Sequence, residues 1–166
     1  MRPEQKLVLA VFPSANGVGF VLFEGPDFIV DWGTVGIRPE HRVSTCSRWI
    51  GRTLQYYKPD VLVYRAMGAE DEVLRRLLEL SLENGVPGVA ISRDEVRRAF
   101  STSKAVNRHT IAAAIVLRFP HLSSFDPGRR KLWMGEDRRM GVFNAAGLGL
   151  AFFATRTDNL NLSELT

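Results

Sequence analysis

The sequence has few of the residues on which disulfide-bonded and zinc-binding domains depend. Cys46 is its single cysteine, and its three histidines lie far apart at His41, His109 and His121. These numbers exclude an internal disulfide and a Cys/His zinc cluster. Because an unpaired thiol is typical of a reducing compartment, we expect a cytoplasmic protein.

Long apolar runs are also absent. No stretch approaches the roughly 18 consecutive apolar residues of a membrane-spanning helix. The apolar segment that follows Lys6 is too short and too interrupted to form a secretory signal peptide. We therefore expect neither a membrane helix nor a membrane partner.

Charge is present but unevenly distributed. The chain has 22 Lys and Arg against 18 Asp and Glu, which gives a net charge of +4. Residues 91–166 contain 12 of the basic side chains and 7 of the acidic ones, whereas residues 1–90 contain 10 and 11. A basic second half favours a polyanionic partner such as DNA or RNA. The alternative is that this charge serves only solubility.

Length and composition predict one globular domain. The chain has 166 residues, of which 45% are hydrophobic and 24% are charged. These values are near the globular average, and one hydrophobic core can grow to this size. Because the last apolar pattern ends at Thr155, we assign residues 1–155 to the domain and residues 156–166 to a C-terminal tail.

The order of the secondary-structure patterns predicts an α/β fold. Three strand-like runs with short turns come first, and helical patterns then alternate with short apolar runs. Such an order gives a mixed five-stranded sheet, formed by a three-strand antiparallel meander and β-α-β crossovers, with helices on both faces. The predicted strands are 7–12, 18–24, 28–35, 61–64 and 86–91, and the predicted helices are 43–57, 70–84, 92–100, 104–119 and 136–155.

Four stretches resemble, in order, motifs of the RuvC-type Holliday junction resolvases. They are Leu9–Phe20, Pro59–Arg65, Ser103–Leu117 and Val142–Leu150. They are similar to the first strand and turn, the fourth strand, the lysine-started helix that contacts DNA, and the closing helix of that family. The resemblance implies a ribonuclease-H-like fold over most of the chain.

The resemblance also implies where a catalytic site would lie. In that family, carboxylates on the first strand, the fourth strand and the last helix hold two Mg²⁺ ions for phosphodiester hydrolysis. The matching positions here are Phe12, Arg65 and Asn144, with Gly147 at a fourth position. Since Mg²⁺ requires hard anionic oxygens and arginine is a permanent cation, we predict no catalytic residue, no metal ligand and no cofactor.

Basic side chains interleaved with an aromatic residue predict contacts with nucleic acid. Arginine and lysine neutralise phosphates, and an aromatic ring stacks on bases. The alternative is that these side chains form solvated faces or pair with neighbouring acids. The candidate nucleic-acid-binding residues are Arg65, Arg97, Arg98, Lys104, Arg108, Arg129, Arg130, Lys131 and Trp133.

Three functional hypotheses follow. The first is a pseudo-nuclease that binds structured or branched nucleic acid without cleaving it, with Arg65 holding a phosphate in place of the metal charge. The second is a protein-interaction module, either a homodimer or a partner of an active relative, which an apolar Phe12 at the mouth of a cleft favours. The third is a divergent metal-dependent nuclease using Glu136 and Asp137, although these acids also suit a helix N-terminus.

Overall fold

Five strands and five α-helices make up the described part of the chain. A computed structural model describes residues 6–14, 17–66, 71–100, 107–125 and 139–164. The strands are β1 (Leu7–Ser14), β2 (Gly17–Glu24), β3 (Ile29–Gly36), β4 (Val61–Arg65) and β5 (Gly88–Ile91). The α-helices are α1 (Arg42–Tyr57), α2 (Glu72–Glu83), α3 (Arg93–Ala99), α4 (Arg108–Arg118) and α5 (Met140–Glu164).

The strands form a single mixed sheet in the order β3-β2-β1-β4-β5. β2 pairs antiparallel with both β1 and β3, while β4 pairs parallel with both β1 and β5. β1 is the central strand, and its run Val8–Val11 is fully buried. A strand buried on both faces needs a continuous apolar run rather than an alternating one. The predicted mixed five-stranded sheet is confirmed.

Helices cover both faces of the sheet, as predicted. On one face, Val8 and Ala10 of β1 join a core cluster with α4 and α5, and α3 packs against α5. On the other face, Leu9 and Val11 join a second cluster with α1 and α2. Because side chains alternate along a strand, β1 divides its residues between the two cores. The result is three layers: helices, sheet and helices.

Glycines bring α5 unusually close to the sheet. A Cβ on Gly19 of β2 would lie 2.1 Å from the carbonyl carbon of Gly141 in α5. A Cβ on Gly149 would lie 2.3 Å from the buried ring of Phe23. Side chains at these positions would push the helix away from the sheet. The close approach places the first turn of α5 beside Phe12, which pairs with Gly19.

The observed ends of the last two helices differ from the predicted ones. α5 does not end at Thr155 but continues to Glu164, so residues 156–164 of the predicted tail are helical. No glycine or proline follows Gly149 to end the helix. α4 begins at Arg108 rather than at residue 104, because the side chain of Asn107 caps its first turn. Within the described residues, no helix has both the length and the apolar composition needed to cross a membrane.

Candidate functional site

A cleft of ≈ 320 Å³ opens at the carboxyl ends of β1 and β4. The sheet forms its floor, and α3, α4 and α5 form its sides. The residues that line it are Phe12, Arg65, Ile91, Arg93, Val96, Arg97, Asn107, Ile111, Phe143, Asn144, Gly147 and Leu148.

The floor of the cleft is built from two neighbouring strands. Val11 of β1 is paired with Tyr64 of β4 in parallel register, so Phe12 and Arg65 lie side by side one residue further on. Both side chains point to the face that α5 covers, since they alternate with Val11 and Tyr64. The guanidinium carbon of Arg65 is 5.3 Å from the centre of the Phe12 ring. This distance is within the range of a cation–π contact.

The side of the cleft opposite this floor belongs to α5. Asn144 and Gly147 are three residues apart and therefore share one face of the helix. Asn144 is half-buried, and within the described residues its amide has no hydrogen-bond partner. A Cβ on Gly147 would be 3.4 Å from Val96 of α3, so α3 closes the cleft at that point.

The four residues that the motif resemblance singled out, Phe12, Arg65, Asn144 and Gly147, therefore line one cleft. Two lie on the strands and two on the closing helix. Phe12 and Gly147 supply no polar side-chain group, Arg65 supplies a cation and Asn144 supplies a neutral amide. These four positions therefore offer one cation and one neutral amide, and no carboxylate.

The charged side chains among the described lining residues of the cleft have one sign. Arg65, Arg93 and Arg97 contribute three guanidinium groups, and none of the described lining residues is acidic. The guanidinium of Arg97 lies 4.0 Å from the Asp94 carboxylate, and both side chains are exposed. Solvent-exposed ion pairs of this kind contribute little and exchange readily. The cleft therefore has a net positive charge that the described residues do not neutralise.

Arg65 differs from the other half-buried arginines of the described chain. Arg42 lies 3.7 Å from the carboxylate of Asp71, and Arg76 lies 3.0 Å from that of Glu79. Arg65 is also half-buried, but it has no carboxylate or hydrogen-bond partner within the described residues, only the Phe12 ring. A partly desolvated guanidinium favours an anionic partner with paired oxygens, such as a phosphate.

The donor set that the described residues supply to the cleft does not fit the two Mg²⁺ ions that the resemblance implies. Among the described residues, no group of three or more His, Cys, Asp or Glu side chains is placed to hold a metal ion. The oxygen donors of the described lining side chains are the neutral amides of Asn107 and Asn144, and the Arg65 guanidinium repels a cation. Glu136 and Asp137 lie outside the described residues.

The predicted nucleic-acid-binding residues fall into three groups. Arg65 and Arg97 line the cleft, whereas Arg98 is exposed on α3 and is not part of the lining. Arg108 is the first residue of α4, and its side chain is not among those described. Outside the described residues lie Lys104, Arg129, Arg130, Lys131 and Trp133.

Sequence reasoning did not find the polar residue that α4 contributes to the cleft. Asn107 lies at the cleft and caps α4, with its side-chain oxygen accepting a 3.0 Å hydrogen bond from the backbone N–H of Thr110. Asparagine before a helical pattern is a recognised start signal and would have placed this residue correctly. The apolar wall formed by Val96 and Ile111 was not predicted as part of a site either, because both residues also fit ordinary helix packing.

Two groups with shifted pKa values lie on the opposite face of the sheet. The hydroxyl of Tyr57 in α1 donates a hydrogen bond to the Asp31 carboxylate in β3, and this bond raises the pKa of Tyr57 to about 12. Burial raises the pKa of the Cys46 thiol to about 11. Both shifts favour the neutral form, so neither side chain is an activated nucleophile.

Comparisons with known proteins identify the fold. No family model and no curated protein matches the sequence. The structure resembles Thermus thermophilus RuvC in complex with a Holliday junction substrate, with a TM-score of 0.62 and 15% identity over 92% of this chain and 96% of that one. This is a RuvC-like, ribonuclease-H-like fold. The prediction of this fold from the sequence is confirmed.

Two further resolvases agree with this result. The yeast mitochondrial Holliday junction resolvase gives a TM-score of 0.59 at 12% identity, covering 98% of this chain and 86% of that one. The fowlpox virus resolvase, in a complex with Holliday junction DNA, gives 0.57 at 12% identity, covering 90% and 97%. The RuvC-like fold thus extends over nearly the whole chain.

Proposed function

We propose that the chain binds structured or branched nucleic acid through the cleft and does not cleave it by metal-dependent hydrolysis. The observation that carries the proposal is Arg65, a half-buried cation without a carboxylate partner in the described chain. The same fold is seen in RuvC and fowlpox resolvase complexes with Holliday junction DNA, which supports this class of ligand.

The arrangement of the arginines suits a phosphate backbone. Arg65 reaches the cleft from β4, while Arg93 and Arg97 reach it from α3, one turn apart. Phosphate contacts from two elements fix both the position and the orientation of a strand. Each neutralised phosphate releases counterions, so binding of this kind weakens steeply as salt concentration rises.

The absence of cleavage follows from the same residues. Two-metal hydrolysis needs carboxylates that hold one metal against the attacking water and one against the leaving oxygen. Phe12 and Gly147 provide no ligand, and Arg65 places a permanent positive charge at this point. A site of this composition attracts the phosphate directly but leaves the water without activation.

Binding to a four-way DNA junction tests the proposal. Fluorescence anisotropy at low salt should give the same affinity with EDTA as with Mg²⁺, because no metal takes part. Arg65→Glu should weaken binding at least about 10-fold, since a charged contact is lost and a repulsive one is introduced. Arg75→Glu makes the same charge change on the exposed side of α2 and should alter affinity less than about 2-fold. Equal effects of the two variants would contradict the proposal.

Cleavage is tested separately on the same junction. We expect the labelled strands to remain intact with either Mg²⁺ or Mn²⁺. Metal-dependent cleavage that is abolished by Glu136→Gln or Asp137→Asn would instead establish the divergent nuclease. Cleavage that survives both changes would also contradict the inactive site.

The apolar part of the cleft favours one second candidate, a protein-interaction module. Phe12, Ile91 and Ile111 line the cleft, and such side chains suit packing better than phosphate binding. The chain would then act as a homodimer or as the partner of an active relative. Sedimentation that shows a dimer, together with dissociation by Phe12→Asp and no junction binding, would support this candidate over nucleic-acid binding.

A further inference from the structure

We infer that the cleft receives a single unpaired nucleotide, with its base against the apolar wall and its phosphate on the arginines. This inference rests on the proposed function and adds the form of the nucleic acid that the cleft takes. It is carried by three features that occur together: the size of the cleft, the composition of its walls and the amide of Asn144, which has no hydrogen-bond partner within the described residues.

The size of the cleft limits what can enter it. A volume of ≈ 320 Å³ is at the lower end of the range of small-ligand sites. A base-paired helix is too large to be held in such a space, whereas one nucleotide that has left the helical stack is small enough. Unstacking requires the least free energy where the base is already unpaired.

The walls of the cleft are divided between apolar and cationic groups. Val96 and Ile111 face the space from α3 and α4, and Phe143 from α5. A site that held only backbone phosphates would need no such wall, because phosphates remain hydrated on a charged surface. An apolar wall beside arginines matches the two parts of one nucleotide, since bases stack on apolar and aromatic side chains.

Asn144 supplies the group that would read the base. Its amide offers a donor and an acceptor in one plane, the pattern with which asparagine bonds base edges. The amide is half-buried at the cleft and has no partner within the described residues. We therefore assign Asn144 as the specificity-determining residue of the cleft.

Paired and unpaired DNA of one sequence provide the test. The probes are a closed dumbbell duplex without free ends and the same duplex with one unpaired nucleotide, either bulged or as a one-nucleotide flap. We expect the unpaired nucleotide to tighten binding about 10-fold, the low end of what stacking one base contributes. Equal affinities of the dumbbell and the unpaired forms would overturn the inference while leaving the proposed function intact.

Two variants keep the result interpretable. Asn144→Leu keeps the number and branching of the side-chain heavy atoms but removes the amide donor and acceptor, and should remove the preference among the four unpaired bases. Val96→Ala removes part of the apolar wall without changing charge and should reduce the 10-fold preference itself. If neither the preference among the four bases nor the 10-fold preference for an unpaired nucleotide changes in these variants, the assignment to this cleft is overturned. Circular dichroism of each variant verifies that the fold is retained.

Free mononucleotides distinguish the two sources of the bound nucleotide, an unpaired position in a strand and a nucleotide free in solution. A few contacts give an affinity of about 1 mM. Competition by a nucleoside monophosphate at this concentration would show that the cleft binds the nucleotide independently of a strand. No competition, with the preference for unpaired DNA retained, would assign the ligand to the strand. If Arg65→Glu left the affinity for every probe unchanged, that result would count against the proposed function itself.

Discussion

The half-buried arginines on the two faces of the sheet have different partners. On the face covered by α1 and α2, Arg42 and Arg76 are held by Asp71 and Glu79. On the face covered by α5, Arg65 is equally half-buried but lies over the Phe12 ring, with no carboxylate beside it in the described residues. The paired arginines have their counter-charges within the protein, whereas under the proposed function the counter-charge of Arg65 is a phosphate of the ligand. The comparison thus sets arginines with a structural partner against the one to which we assign a binding role.

The two faces also differ in how closely their helices pack. α5 crosses the sheet so closely that Gly149 meets the Phe23 ring, while Gly51 of α1 has open space around it. The face that contains the cleft is therefore the tightly fitted one. The fit fixes α5, and with it the position of Asn144, against the strands.

The largest expected effect is on this packing. Gly149→Ala should lower the free energy of unfolding by about 1–3 kcal/mol, because the new Cβ overlaps a ring that is packed on all sides. Gly51→Ala is the matched control and should raise stability by up to about 1 kcal/mol through helix propensity. Chemical denaturation of both variants measures the difference. Equal changes would show that α5 is not closely fitted.

A second pair of variants separates the two kinds of charge. Asp71→Ala removes the N-cap of α2 and the partner of Arg42, and should lower stability by about 1–2 kcal/mol with little effect on DNA binding. Arg65→Ala should have the opposite pattern. Loss of the cation–π contact should lower stability by less than about 1 kcal/mol, while the affinity for DNA should fall clearly. Denaturation and anisotropy on the same two proteins test the pair. A stability loss for Arg65→Ala as large as that for Asp71→Ala would contradict the distinction.

A smaller effect concerns pH on the α1 face. The pKa of Tyr57 is raised from its ordinary value of 10.0 to about 12 by the hydrogen bond to Asp31. The bond's contribution is therefore complete below pH 10 and is lost as the pH rises towards 12, because the unfolded chain releases this proton first. Tyr57→Phe should lose about 1 kcal/mol at pH 8 and show a flatter decline between pH 10 and 12. Parallel declines for the two proteins would contradict this account.

Much of the fold was predictable because its local signals agree with its packing. The continuous apolar run of β1 predicts a buried central strand, and the small residues of α5 predict close contact with a sheet. The end of α5 was not predictable, because the residues after Thr155 continue the helix without the apolar periodicity that would have marked it. The start of α4 was predictable in principle from Asn107, whose capping side chain marks the first turn.

The site was predictable only in part. Phe12, Arg65, Asn144 and Gly147 were singled out from a motif resemblance, and the structure places them in one cleft. The apolar wall was not predictable, because residues such as Val96 and Ile111 have the same pattern whether they face a core or a cleft. The lack of a carboxylate beside Arg65 among the described residues is likewise a property of three-dimensional packing and not of sequence spacing.

Salt dependence tests the central claim most directly. The affinity of wild type, Arg65→Gln and Arg75→Gln for the junction should be measured from low to physiological salt. If Arg65 holds a phosphate, the slope of log K against log salt should become less negative by about 0.9 in Arg65→Gln and stay unchanged in Arg75→Gln. Equal slopes for wild type and Arg65→Gln would contradict the account.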